Sequence, residues 1–417
     1  WNHTGVLFPA WQDILKNQQK SEYRDWYEVK SWDDPATPKN EFSYQGWAGV
    51  DNLPELKKTG LTTPRKSGYP YDGNIQEDVK QHIFAVTRRW LAPDGDKSAG
   101  IDGFRLDVAD QIGLDFWREY RKFVRNIQPD AYLVGEIWWA EWPEKLMDPL
   151  PYCQGDIFDA VMFYQVYKPA RYFFAKTDFA VTAAQFRDSL EFQWNRLPGE
   201  NLYSMMNTAS SHDAPRLLTD FSNPNKYKFK STPNDDPKYK TGKPDPVTYR
   251  RLRLYLMHFF TTIGAPHIWN GEEMGMWGAD DPHCRKPLWW KEFTFEPENR
   301  NNFQVAKAAT DPVGFNQSQF TFYQKLIRIR KENPVLATGK IVFLVSESKK
   351  LVYKRFDDKN QILVCFNLEQ TPQLFDIPAG MTATDLMNGH RHKTPTLRLG
   401  PYTGAILKLE PVKTTDK

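Results

Sequence analysis

At about 150 residues per domain, a chain of 417 residues has room for two or three domains and a substantial core. Its 55 Lys and Arg against 52 Asp and Glu leave a formal net charge of +3, which excludes the dense basic surface of a nucleic-acid binder and points to uncharged partners. The 15 Trp, 19 Tyr and 27 Phe supply flat aromatic faces suited to a neutral ligand such as a sugar or a nucleobase.

In chain order, residues 5–75 are rich in Trp, Tyr, Pro, Gly and charge without a sustained period. They read as an irregular excursion that shapes a site. From about residue 80 to 340, strand-like and helix-like runs alternate, the pattern of a parallel α/β fold, either a barrel or an open doubly wound sheet. Helices are expected at Gln81 to Leu91, Asp115 to Arg125, Ala184 to Leu197, Thr248 to Ile263 and Phe320 to Lys331, from apolar residues at helical spacing. Strands are expected at Ile101 to Val108, Ala131 to Ile137, Ile157 to Phe163, Leu202 to Ala209 and Pro266 to Asn270. Ser222 to Pro246, with six Lys and five Pro, reads as a solvated loop. After about residue 341 the strands Ile341 to Val345, Leu351 to Phe356, Ile362 to Asn367 and Tyr402 to Leu409 predict an antiparallel β domain without helices. Three parts follow: 1–75, 76–340 and 341–417.

Cys153, Cys284 and Cys365 are too scattered for a disulfide framework or a paired-cysteine metal site and read as buried thiols. No run approaches the roughly 18 apolar residues of a membrane span, so a membrane is not an expected partner, and the near-balanced charge makes nucleic acid an unexpected one too. A glycine-rich phosphate loop after a strand is also missing, which disfavours a nucleotide-binding enzyme.

Three strand ends carry acidic residues. In Gly103-Phe104-Arg105-Leu106-Asp107, alternation puts Arg105 and Asp107 on one face, where the guanidinium would hold the carboxylate ionised and fixed; a structural Arg/Asp pair reads equally well. In Val134-Gly135-Glu136-Ile137-Trp138, Glu136 ends an apolar strand beside Trp138 and Trp139. Burial there would raise its pKa toward that of a general acid, although a helix-capping Glu is the alternative. In Ser210-Ser211-His212-Asp213, His212 and Asp213 could bind hydroxyls or stabilise positive charge, or Asp213 could cap a helix before Pro215. Acidic groups at the C-terminal ends of successive strands converge on one mouth of a barrel. Retaining glycoside hydrolysis needs a carboxylate nucleophile and a carboxylic acid, which Asp107 and Glu136 can supply.

These segments, together with Asn2-His3 at the start, resemble the four conserved regions of the α-amylase superfamily, glycoside hydrolase family 13, in order and spacing. Cyclomaltodextrinases and neopullulanases are the most similar group. The similarity runs through Asn2 to Tyr27, Phe158 to Met162, and Gly271 to Gly275 with Asp281 to Pro287. In the irregular part, Leu53-Pro54-Glu55-Leu56 is closer to the Leu-Pro-Asp-Leu type of α-amylases than to the Met-Pro-Lys-Leu of that group.

The resemblance implies a (β/α)8 TIM barrel with a domain B insertion and a C-terminal antiparallel β-sandwich. The five predicted strands would be barrel strands four to eight, and strands one to three are expected to precede Trp1 in the functional protein. It implies Asp107 as nucleophile, Glu136 as acid/base, Asp213 as transition-state stabiliser, and Arg105, His212 and His3 as ligands of the sugar at the cleaved position. Trp138, Trp139 and Trp47 are expected along the glucan path, with core packing as the alternative. The implied activity is retaining hydrolysis of α-1,4, and also α-1,6, bonds in starch-derived oligosaccharides, cyclodextrins or pullulan. The alternatives are a transglycosylase and a non-catalytic glucan-binding relative. No cofactor is required. Relatives often hold Ca²⁺ near Asn2, but one Asn does not name a metal site. A homo-oligomer is compatible with the resemblance, and a periplasmic or secreted location is favoured over the cytoplasm.

Overall fold

The computed structural model describes residues 1–66, 68–141, 145–226, 231–300 and 309–412. The chain forms two compact units, one of residues 1–162 and 197–201, the other of residues 163–196 and from 202 onward. Residues 227–230 of the Lys-rich stretch and the last five residues of the predicted β part lie outside the described residues.

In the first unit, one part of the irregular stretch is regular after all. Helix α1 (Pro9–Asn17) buries Ala10, Trp11 and Ile14, and Pro9 starts it where a missing N–H costs nothing. Its apolar stripe is only two turns long, too short to stand out as a period. The remainder is held by short antiparallel pairs, Val29–Ser31 with Ser43–Tyr44 and Lys58–Thr59 with Asn74–Ile75.

Beyond it, α2 (Glu77–Leu91) is capped by Gln76, whose side chain accepts from Val79 N. Acidic residues sit in its first turn and Arg88 and Arg89 in its last, both favourable to the helix dipole. Helix α3 (Leu114–Ile127) buries Phe116, Trp117, Tyr120 and Val124 on one face. Between and after these helices run β1 (Gly103–Leu106), β2 (Tyr132–Gly135) and β3 (Ala160–Phe163). They pair in parallel, Gly103 with Tyr132 and Val134 with Ala160, and α3 makes the crossover from β1 to β2. Asp159 anchors the group. It accepts from Leu133 N at 2.8 Å and pairs with Arg121 and Arg125 of α3 at 2.9 and 2.7 Å.

The second unit has helices α4 (Tyr167–Phe174), α5 (Ala183–Trp194), α6 (Leu217–Ser222), α7 (Pro246–Thr261) and α8 (Gln317–Glu332). The sequence reading missed α4 and α6, which are eight and six residues long. The strand expected at Leu202 to Ala209 is shorter. Gly199–Ser204 is helical and only β4 (Met206–Thr208) is extended, pairing in parallel with β5 (Ala265–His267). Buried Arg355 donates to the carbonyls of Thr261 at 2.6 Å, Leu336 at 2.8 Å and Gly339 at 2.8 Å, tying the end of α7 to the start of the β region.

From Lys340 onward the described residues are all-β. The strands are β6 (Lys340–Glu347), β7 (Lys350–Phe356), β8 (Gln361–Asn367), β9 (Gln373–Asp376), β10 (Met381–Asp385), β11 (Arg391–His392), β12 (Thr396–Leu399) and β13 (Thr403–Pro411). Four of these, β9 to β12, are short and were not foreseen. The six-stranded antiparallel sheet runs β6-β7-β8-β13-β10-β11, and β9 pairs with β12. Phe375, Leu397 and Leu399 of the small sheet share one core with Leu363, Cys365 and Leu407 of the large one, which makes a sandwich. Each fully buried aliphatic side chain there contributes about 1.5–3 kcal/mol. All three cysteines are buried thiols, as expected.

Candidate active site

The first unit collects seven of the nine predicted site residues. Strand β1 ends at Leu106, so Asp107 lies just past it, and Arg105 still reaches it with Nη1. The other terminal nitrogen, Nη2, is 2.6 Å from Oε1 of Glu136, which follows the end of β2. One guanidinium therefore spans both carboxyls. Their settings differ sharply: the Asp107 side chain is 57% exposed and that of Glu136 only 5%.

The backbone completes the hold on Glu136. Its N–H donates to the Leu106 carbonyl at 2.9 Å, its carbonyl accepts from Ala109 N at 3.0 Å, and its Oε2 accepts from Val108 N at 3.0 Å. Val108 has φ 48°, the left-handed region that a β-branched residue enters only when its surroundings compel it. That conformation turns the loop after β1 back onto Glu136. Gly135 is required for a different reason, since a Cβ there would stand 2.4 Å from the Phe158 ring.

Burial raises the pKa of Glu136 above the ordinary carboxylate range. Arg105, the Val108 N–H and the Trp138 indole N–H oppose this, and the Asp107 charge adds to it. The expected shift is found, but the aromatic neighbour works against it: Trp138 Nε1 donates to Glu136 Oε1 at 3.0 Å. Trp138 also stacks on Trp139, with centroids 5.3 Å apart. His3 stacks on Trp47 at 4.6 Å and 8°, and burial lowers its pKa while the Asp107 charge raises it. Trp47, Trp138 and Trp139 are all partly exposed rather than core residues.

The second unit holds His212 and Asp213, 3.0 Å apart between Nε2 and Oδ2. Asp213 does not cap a helix, because α6 starts at Leu217 with Arg216 at its N-cap. Sequence reasoning missed Arg285, whose Nη2 donates to Asp213 Oδ1 at 2.8 Å and whose Nε donates to the His212 carbonyl at 2.8 Å. Asp281 pairs with the same Nε at 2.7 Å. The signal lay in the Asp281 to Pro287 segment, but 72 residues separate Arg285 from Asp213, and no spacing rule joins them.

Among the described residues no group of three or more His, Cys, Asp or Glu side chains could hold a metal ion. The first unit thus sets a carboxyl biased toward its proton beside an exposed one, the division of labour that acid and nucleophile require.

A family profile described as "Alpha amylase, catalytic domain" matches residues 1–339. The chain belongs to the alpha-amylase family. A cyclomaltodextrinase of Geobacillus thermopakistaniensis strain MAS1 is 28% identical over 419 residues, covering 98% of this chain and 58% of that protein. Neopullulanase 2 of Thermoactinomyces vulgaris is 29% identical over 417 residues, again 98% of this chain and 58% of the relative. The crystal structure of Ttha1563 from Thermus thermophilus superposes with a TM-score of 0.70 at 28% identity, covering 98% of this chain and 75% of that one. The chain thus spans little more than half the length of these two curated relatives. Membership implies the (β/α)8 barrel class with a C-terminal β-sheet domain, and the parallel strands and the β-sandwich agree with it.

Proposed function

We propose that this chain carries the catalytic machinery of a retaining α-glucan hydrolase acting on α-1,4 and also α-1,6 bonds of cyclodextrins, pullulan or starch-derived oligosaccharides. Asp107 attacks the anomeric carbon, Glu136 gives its proton to the departing oxygen, and water then releases the glycosyl group with Glu136 as base. Asp213 stabilises the positive charge of the transition state. Arg105, His3 and His212 bind the reacting sugar, and Trp47, Trp138 and Trp139 line the glucan path. Strands β1 to β5 act as barrel strands four to eight. The reaction as drawn uses side chains alone and needs no cofactor.

The observation that carries this reading is the Arg105 guanidinium with Asp107 on one nitrogen and buried Glu136 on the other. Two carboxyls on neighbouring nitrogens of one group suit the short separation of a retaining pair, about 5–5.5 Å, better than the wider inverting one. The relatives named cyclomaltodextrinase and neopullulanase support the substrate class.

The test is product analysis of the full-length protein on cyclodextrin, amylose and pullulan, with the anomeric configuration followed by NMR from the first turnovers. Release of α-anomers supports the proposal. Initial β-anomers, or no cleavage of any of the three, would overturn it, and products longer than the substrate would assign a transglycosylase instead.

A further inference from the structure

The family resemblance carries an expectation of Ca²⁺ beside Asn2, and the surroundings of Asn2 show whether a divalent ion suits them. Residues 2–4 run antiparallel to residues 54–56. His3 bridges Glu55, Thr4 N donates to the Pro54 carbonyl at 3.1 Å, and Leu56 N donates to the Asn2 carbonyl at 2.9 Å.

The side chain of Lys58, 1% exposed, is inserted into this joint. Its ammonium donates to the Leu56 carbonyl at 2.8 Å and the Asn2 carbonyl at 3.4 Å, and it stands 3.5 Å from Glu55 Oε1. Two backbone carbonyls and a carboxylate are hard oxygen donors of the kind Ca²⁺ takes. Here they already surround a cation.

Charge decides the fit. The buried Glu55 carboxylate also accepts from Arg65 Nη1 at 2.5 Å, and Glu28 Oε1 accepts from the Lys58 backbone N–H at 2.8 Å, so two cations and two carboxylates already balance here. A divalent ion entering this desolvated joint beside the two cations would tip that balance to a surplus of positive charge, and repulsion is strong where water cannot screen it. The buried Asn2 side chain, with neither amide atom hydrogen-bonded, adds a neutral oxygen and no negative charge. The donor set does not fit a divalent metal.

We propose that the Lys58 ammonium is the resident cation of this joint, holding residues 2–4 against residues 54–58 and keeping divalent metal out. His3 rides on the held segment, so the ammonium performs the positioning task that a metal would otherwise perform there.

The experiment compares melting temperatures of the full-length protein in millimolar CaCl2 and in EDTA, for wild type, Asn2→Ala and Lys58→Asp. Lys58→Asp removes the ammonium and adds a carboxylate among the same oxygens. Its Ca²⁺-dependent rise should exceed that of wild type by several degrees, and any wild-type response should persist in Asn2→Ala. A wild-type rise that Asn2→Ala abolishes would place a metal beside Asn2 and overturn the proposal. So would a Lys58→Asp response equal to that of wild type. Should Lys58→Asp fail to fold in EDTA, Lys58→Ser, which only removes the ammonium, is read in its place with the same two outcomes.

Discussion

Arg105 Nη2 lies 2.6 Å from Glu136 Oε1, joining strand β1 to the residue just past its parallel neighbour β2 while Arg105 also holds Asp107. The contact opposes the effect of burial on Glu136, so the carboxyl holds its proton more readily than an exposed one but can still release it. A group that must act first as acid and then as base needs that balance.

Asp107→Asn and Glu136→Gln should each lower turnover on cyclodextrin by roughly 10³-fold or more, with substrate affinity largely kept, because one removes the proposed nucleophile and the other the proposed proton donor. Steady-state kinetics with calorimetric binding checks this. Near-normal turnover in either variant would remove the assignment.

Trp138→Phe keeps an aromatic ring but deletes the N–H that favours ionised Glu136. The pKa of Glu136 should rise further, and the alkaline limb of the kcat/KM profile should move to higher pH. Arg105→Ala should move it the same way and farther, with a large loss of rate, since Arg105 is the strongest influence opposing burial. A limb that stays put in both variants would mean that Glu136 is not the titrating acid.

Arg285→Ala removes the donor that stands 2.8 Å from Asp213 Oδ1. If Arg285 orients a transition-state stabiliser, kcat should fall about 10–100-fold while KM changes little and Arg285→Lys recovers part of the loss. An unchanged kcat would reduce the contact to surface pairing.

Buried Glu272 has its pKa pushed up to about 7, chiefly by desolvation. The folded chain holds a proton there that the unfolded chain releases near pH 4.3, so the stability linked to Glu272 is present below that pH and is lost as pH rises to about 7. Glu272→Gln keeps an acceptor for Leu217 N, which now donates to Oε1 at 3.1 Å, and lacks the titration. The variant should therefore gain on wild type by roughly 3 kcal/mol between about pH 4 and pH 8. Denaturant unfolding at the two pH values measures this, and a constant difference would contradict it.

Gly135→Ala should destabilise the protein by about 1–3 kcal/mol, because the new Cβ meets the Phe158 ring and must displace either it or the end of β2. Glu136 is the next residue, so kcat should fall as well. A melt and a rate equal to wild type would show that Phe158 yields freely.

Much of the candidate site was legible in the sequence because its residues sit in local runs. Arg105 with Asp107, Glu136 with Trp138, and His212 with Asp213 are each two or fewer residues apart, and all three couples are in contact. The long helices were equally readable, since α2, α3, α5, α7 and α8 carry three or more turns of one apolar face. Elements with fewer turns gave too little period to separate from noise, which is why α1, α4, α6 and strands β9 to β12 went unseen. Tertiary structure alone decided the rest. The Arg105 bridge to Glu136, the Val108 N–H on Oε2, Arg285 on Asp213 and Lys58 against Asn2 join residues 28 to 72 positions apart. No periodicity or spacing encodes such pairs; folding creates them when it closes those intervals and strips the water from charges that must then find one another.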